Sequence, residues 1–348
     1  MLGHDSAEAL DPERDFLESG FDSLAAMELR TALNASTGLT LPTAAIFDHK
    51  TPAALARYLR KELTAEAPAD HEPDGVDDSL YGMFRGAVAS GQAAKGFALL
   101  RAVAELREQF SSADELDRLP APTRLAAGTT LPRIICLAPP LATGGAHQYA
   151  RIASHLRTAR DVLALSPIGC RTGEPLPTTE TAAVAAMARS VLEAAQGDPF
   201  VLVGYSSGGL LAYRVTEHLE ATGGPVPTAV VLLDTYKVNV DGEWLLRSMA
   251  EHMVSAQSTF GRFDQARLTG MGRYMQFLQE MAPGTVTTPT LFVQCAENFL
   301  GSSAEQENWQ AEPWDAAHTV VSVPADHFTI LEDGSAEVAA AIEDWLES

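Results

Sequence analysis

Residues 200–213 read FVLVGYSSGGLLAY. An apolar, strand-like run ends at a glycine, two serines follow, and SGGLLAYRVTEHLE then has the residues of a helix. Gly204-Tyr205-Ser206-Ser207-Gly208 satisfies G-x-S-x-G, and only Ser206 stands at its centre. For Ser207 to take that place, residue 205 would have to be glycine. The pattern predicts a sharp strand-to-helix turn that exposes the Ser206 hydroxyl at a helix N-terminus, where partial positive charge favours a developing oxyanion. The bland alternative is a tight turn without chemistry, and the strand before it and helix after it argue against that.

The surroundings agree. From residue 133 short apolar runs alternate with longer helical patterns. The expected strands are RIICLA, DVLALS, FVLVGY, AVVLLD, TLFVQC and TVVSVP. Helices are expected near 146–157, 180–196, 207–222 and 335–346. Fully apolar strands separated by helices indicate a mainly parallel sheet covered on both faces. Residues 240–283 break the alternation with two Met-rich helical stretches, an insertion expected above the sheet.

A serine needs a base and a group to orient that base. In the α/β hydrolase fold the order is Ser, then Asp or Glu, then His, each at a strand's C-terminal end. Asp234 ends VVLLD and His327 follows TVVSVPAD, so both have the required position. His327 is expected to take the Ser206 proton, with Asp234 fixing its tautomer. His218 falls in the helix after the elbow, His252 in the insertion, and His318 at the start of a strand. Asp326 adjoins His327 in sequence and is badly placed to orient it. The oxyanion donors are expected to be the amides of Ser207 and of Leu141. Pro139 and Pro140 precede Leu141 in the loop PPLATGGAHQY and have no N–H to offer.

Before this region lie three others. Residues 1–63 have helical patterns, with Thr51 a candidate N-cap and Pro52 at a first helical position. Residues 64–78, TAEAPADHEPDGVDD, read as a flexible acidic linker. Residues 79–112 read as two amphipathic helices interrupted at Gly91.

The 348 residues carry a formal charge of −22, which argues against nucleic acid and anionic membrane partners. Three scattered cysteines give neither a disulfide framework nor zinc spacing and suit reducing cytoplasm. No targeting peptide opens the chain, and no run of apolar residues is long enough to span a membrane.

In DFLESGFDSLAAMELR, the run Gly20-Phe21-Asp22-Ser23-Leu24 resembles the attachment motif of a polyketide synthase acyl carrier protein. The resemblance implies covalent 4′-phosphopantetheine on Ser23. That serine would open a helix, where free N–H groups accommodate a phosphodiester. Residues from about 78 onward resemble the terminal thioesterase domains of modular type I polyketide synthases. The matching features are the paired leading helices, GAHQY at 145–149, the elbow, LLDTY at 232–236 and ADHFTIL at 325–331. This implies that the helices of 79–112 dimerise and that 240–283 forms a lid over a substrate channel. Tyr205 stands where many relatives have His, and Pro139-Pro140 stands where macrolide-type relatives have Gly-Thr. The carrier's usual first helix is absent before MLGHD, which suggests an excised fragment with a truncated carrier.

The expected whole is an all-α carrier bundle (1–63), the linker and an α/β hydrolase thioesterase (79–348). It would receive a polyketide acyl chain from upstream synthase modules after a phosphopantetheinyl transferase has loaded Ser23, and no metal is needed. Release would give a macrolactone or a free acid. The rival readings are a proofreading hydrolase and a non-catalytic docking and dimerisation module.

Overall fold

Among the described residues three helices come first: α1 (Ser23–Thr37), α2 (Ala45–Asp48) and α3 (Pro52–Thr64). α3 starts with Pro52, and Thr51 Oγ1 accepts the Ala54 N–H at 3.2 Å, so the cap is as expected. The paired helices follow as α4 (Leu80–Ala89) and α5 (Ala93–Ala104), joined through Gly91 at φ +72°. Ser79 caps α4, its hydroxyl accepting the Gly82 N–H at 3.0 Å.

Then come β1 (Gln109–Phe110), β2 (Thr123–Ala126), β3 (Thr130–Leu137), α6 (Ala150–His155), β4 (Arg160–Leu165) and β5 (Leu176–Pro177). Next are α7 (Glu180–Ala195), β6 (Phe200–Tyr205), α8 (Ser207–Thr222) and β7 (Ala229–Leu233). Among the described residues, two helices, α9 (Glu243–Ser255) and α10 (Gln265–Glu280), separate β7 from β8 (Thr290–Cys295). β9 (Thr319–Val323) and α11 (Ser335–Leu346) complete the chain. This is a computed structural model. It describes residues 11–16, 21, 23–39, 41, 45–64, 77–156, 158–236, 243–255, 263–281, 283–297 and 318–348. The expected linker lies almost wholly outside these residues.

Among the described residues, seven strands form one sheet in the order β2-β4-β3-β6-β7-β8-β9. All neighbours run parallel except β2, which is antiparallel to β4. Alternate residues of each strand face opposite sides. Ile134, Cys136, Val201 and Val203 face α6 and α11, whereas Ile135, Leu137 and Leu202 face α7 and α8. Both faces are therefore covered over the central strands β3, β6 and β7, which is why these are mostly apolar, whereas the edge strand β9 is largely exposed.

From β3 the chain moves to β4 on one side, then returns past β3 to β6 on the other. That reversal opens a crevice beyond the C-terminal ends of β3 and β6, the place where open α/β sheets bind ligands. The register aligns Leu137 with Gly204, Gly204 with Leu232 and Leu233 with Val293, so the strand ends share one rim.

The apolar faces of α4 and α5 are buried on the two insertion helices. Leu80, Tyr81, Phe84, Phe97 and Leu100 join Met253, Leu268, Met271 and Tyr274 in one cluster. The Arg107 guanidinium fastens this assembly, donating to the carbonyls of Gly169 (2.8 Å), Ala266 (3.1 Å) and Glu174 (2.6 Å). Arg273, buried on α10, pairs with Glu105 at 3.0 Å. Part of these helices is thus committed to holding α9 and α10, while Met83 and Leu106 stay exposed. The N-terminal helices also touch the sheet domain: Phe16, Ile46, Phe47 and Leu55 share a cluster with Leu125 and Ile152, and Lys50 Nζ donates to the Pro122 carbonyl at 3.1 Å.

Candidate active site

Ser206 sits between β6 and α8 at φ 53° and ψ −130°. Such a backbone costs about 1–3 kcal/mol and persists only where the surroundings enforce it. Here they do. The Ser206 N–H donates to the Leu233 carbonyl at 2.9 Å, and the Ser206 carbonyl accepts from Gly209 N–H at 3.0 Å. The motif's glycines are needed for close approach. A Cβ on Gly204 would collide with the Gly208 carbonyl, and one on Gly208 with the Leu137 carbonyl. Asp234, at the end of β7, has φ 43°. Among the described non-glycine residues only Gln196, which ends α7, shares a positive φ with these two.

The three expected residues meet. His327 Nδ1 lies 2.7 Å from Asp234 Oδ2, and His327 Nε2 lies 3.1 Å from Ser206 Oγ. Asp234 is fully buried and accepts further bonds from the Cys295 N–H at Oδ1 (3.0 Å) and from the Tyr236 hydroxyl at Oδ2. Burial pushes the Asp234 carboxyl pKa up, but these donors and the His327 charge outweigh it and hold the pKa below the usual range. Burial and the adjoining Asp234 charge push the Tyr236 phenol up, so it remains a proton donor. An ionised carboxylate only accepts, so His327 Nδ1 must carry the proton. Nε2 then presents its lone pair to the Ser206 hydroxyl.

The other candidates fall away on geometry. Ser207 is the first residue of α8. Its hydroxyl is buried and makes no hydrogen bond to a described residue. Its backbone N–H is a first-turn amide with no intrahelical acceptor. Asp326 turns from His327 and accepts from Phe328 N–H (2.8 Å), Thr329 N–H (2.8 Å) and Thr329 Oγ1 (2.9 Å), so it caps the loop. His147 is buried, and burial, then the Arg267 and Arg30 charges, pull its pKa to about 3. His252, on α9, stacks on Phe328 with ring centroids 3.7 Å apart.

A cavity of about 900 Å³, including its open mouth, lies over Ser206 and His327. Leu141 lines it, and Ser207 follows the nucleophile directly in the chain. Phe97 from α5, Met249 and Met253 from α9 and Met271 from α10 supply an apolar roof, with His147, Gln148, His252 and Glu332 as the polar part. Arg267 of α10 donates to the Gly144 carbonyl at 2.8 Å, and Gly144 N–H donates to the Leu141 carbonyl at 2.9 Å. The insertion therefore braces the turn that carries Leu141. Ser23 is the first residue of the fifteen-residue α1. Gly20 and Asp22 of the expected attachment motif lie outside the described residues.

Three residues to which the sequence assigned no role belong to this site. Tyr236 acts on Asp234, Tyr205 reaches the His327 carbonyl, and Tyr149 contacts Tyr205. The tyrosine in each of LLDTY, GYSSG and GAHQY is visible in sequence, but its partner is not.

The thioesterase domain family model matches residues 133–346, and that of the phosphopantetheine attachment site matches residues 2–59. The chain is 37% identical over 371 residues to polyketide synthase GfsE of Streptomyces halstedii, covering 100% of this chain and 10% of that protein. It is 32% identical over 351 residues to erythronolide synthase EryA3 of Saccharopolyspora erythraea, covering 99% of this chain and 11% of that one. The chain thus spans about a tenth of the length of these relatives. Among solved structures, a holo four-domain nonribosomal peptide synthetase bound to AMP and glycine superposes with a TM-score of 0.52 at 17% identity. That match covers 97% of this chain and 25% of the other, a likeness of fold.

Proposed function

Because the chain belongs to the thioesterase domain family, we propose that it releases a polyketide acyl chain from its own carrier through Ser206, His327 and Asp234. It is a carrier–thioesterase didomain of the polyketide synthase type, with the α/β hydrolase fold. The single observation that carries the catalytic assignment is the hydrogen-bonded line Asp234–His327–Ser206 at the floor of an apolar cavity. The domain layout we assign is carrier 1–63, linker 64–78 and thioesterase 79–348, with 240–283 as the lid. We place the didomain in the cytoplasm and assign upstream synthase modules, a phosphopantetheinyl transferase and a second copy of the chain as its partners.

Residues 2–59 match a phosphopantetheine-bearing domain, and Ser23 at the head of a long helix fits the attachment, since first-turn N–H groups suit a phosphodiester. When attached, the group supplies the thiol that holds the acyl chain as a thioester. Ser206 Oγ attacks the thioester carbonyl while its proton passes to His327 Nε2. The oxyanion faces the amides of Ser207 and Leu141 and the positive end of α8. As the C–S bond breaks, His327 would return the proton from Nε2 to the leaving sulfur. In the second half a hydroxyl of the chain, or water, loses its proton to Nε2 and attacks the Ser206 ester. Ser206 regains a proton as the product leaves.

The product depends on which nucleophile reaches the ester first. Orientation of a chain-borne hydroxyl is worth up to about 7–11 kcal/mol, enough to outrun water. The roof of Met249, Met253, Met271 and Phe97 offers an adaptable apolar wall for folding such a chain. Hydroxyacyl thioesters of graded length, with products separated by mass spectrometry, should yield lactone in a length-dependent share. Free acid at every length would reject cyclisation while leaving release intact. In the same preparation a phosphopantetheinyl transferase should add one arm to the wild-type chain and none to Ser23→Ala. Equal loading of the two would refute Ser23 as the attachment site.

A further inference from the structure

Residue 205 separates Gly204 from the nucleophile, and its side chain is buried against the base. The Tyr205 hydroxyl donates to the backbone carbonyl of His327 at 2.6 Å. Its ring lies 5.0 Å from the imidazole, tilted by 32°. The Tyr205 backbone N–H in turn donates to the Tyr149 hydroxyl at 3.0 Å, and that hydroxyl donates to the Leu137 carbonyl at 2.6 Å. Tyr149 is completely buried. The proton positions are unambiguous, because a carbonyl cannot donate and an amide N–H cannot accept.

Leu137 is the last residue of β3 and is paired with Gly204 of β6. In a parallel ladder the next bond would run from Tyr205 N–H to the Leu137 carbonyl. The Tyr149 hydroxyl stands between those two groups. It satisfies both while the strands part at the crevice, as an inserted polar group must if neither is to be buried unpaired.

We propose that Tyr205 is a positioning residue that sets the His327 imidazole against Ser206, and that Tyr149 is the strut that fixes Tyr205. The inference rests on the reading of Ser206 and His327 as the reacting pair. Asp234 holds the imidazole at Nδ1 but does not fix the backbone that carries it. His327 lies in a loop after β9 whose shape is kept by Asp326, all of whose bonds here are local to that loop. The phenol of Tyr205 ties that loop's backbone to the residue next to the nucleophile. Both ends of the Ser206–His327 hydrogen bond are thereby anchored through one rigid side chain. Displacement of a reacting group by about 1 Å costs about 100-fold in rate.

Tyr205→Phe keeps the ring on the cavity wall and deletes only the bond to His327. Its kcat should fall by about 10–100-fold, with KM for a short acyl thioester within about twofold of wild type. The rate of Ser206 labelling by a fluorophosphonate should fall by the same factor as kcat, measured well below the melting temperature. Tyr149→Phe leaves the Tyr205 amide without its partner and should also lower kcat more than it raises KM. If Tyr205→Phe lowers Tm but leaves kcat and labelling rate unchanged, the phenol is merely structural and the proposal fails. If Tyr205→Phe does not fold, wild-type kcat in Tyr149→Phe would defeat the strut by itself, and the expected loss would support it. Absence of labelling in the wild-type protein would overturn the reacting pair, whereas normal wild-type labelling with unchanged tyrosine variants would overturn only this inference.

Discussion

Ser206→Ala should lower release of an acyl thioester by about 10⁶-fold, a loss of about 8 kcal/mol of transition-state stabilisation. The size follows from the role. Without Oγ no acyl-enzyme forms, and His327 has nothing to deprotonate except water held off the productive position. His327→Ala should cost about as much, and the double variant little more, because the two side chains act in one step. Product formation by wild type and variants, followed by mass spectrometry, checks this. The fold should survive the change, since the strained backbone at Ser206 is enforced by the Leu233 and Gly209 bonds and not by the hydroxyl. Alanine at that φ is no worse placed than serine. A Ser206→Ala variant that keeps a tenth of the wild-type rate would mean that another nucleophile does the work. Ser207 would not be a ready substitute, because its hydroxyl is buried with no described base beside it.

Asp234→Asn should cost about 10⁴-fold in kcat with little change in KM. The reason lies in the acceptors that Asp234 now provides. Oδ1 must accept the Cys295 N–H, so the amide oxygen of asparagine settles there. The NH₂ group is then left at the Oδ2 position, facing His327 Nδ1 and the Tyr236 hydroxyl. A donor facing Nδ1 forces the other imidazole tautomer, with hydrogen on Nε2. That nitrogen points at Ser206 Oγ and can no longer take its proton. Single-turnover kinetics would show the loss in acylation. A loss below about tenfold would imply that Tyr236 or the loop itself fixes the tautomer.

Much of the sheet and the order of the site could be read from the chain, because both rest on local patterns. Short, mostly apolar runs marked every strand from β3 onward except β5, and β8 and α8 have the bounds their patterns suggest. The elbow was legible because close backbone contact at Gly204 and Gly208 permits no side chain. Two pieces of sheet were not. β2 is four residues long, and Arg124 within it turns outward to Asp161 at 2.5 Å, so it has no apolar run to notice. β1 and β5 pair over only two residues each.

The insertion shows a different limit. Helical spacing identified α9 and α10, but not which methionines face the substrate. Met249, Met253 and Met271 reach the cavity, whereas Met275 and Met281 pack in the cluster behind it. The stripe on α4 and α5 could equally have met a second copy of the chain, and sequence alone does not choose between such partners. The tyrosine links are the clearest case. Tyr149 and Tyr205 are separated by 56 positions and Tyr205 and His327 by 122, and only the tertiary fold brings them together.

The most direct measurement is the site and rate of fluorophosphonate labelling in the intact, folded protein, compared between wild type and His327→Ala. The account predicts a single adduct on the peptide containing Ser206, formed rapidly in wild type and at least 1,000-fold more slowly without the imidazole, a difference of ~4 kcal/mol. An adduct on Ser207, no adduct in folded wild-type protein, or equal rates in the two proteins would contradict it.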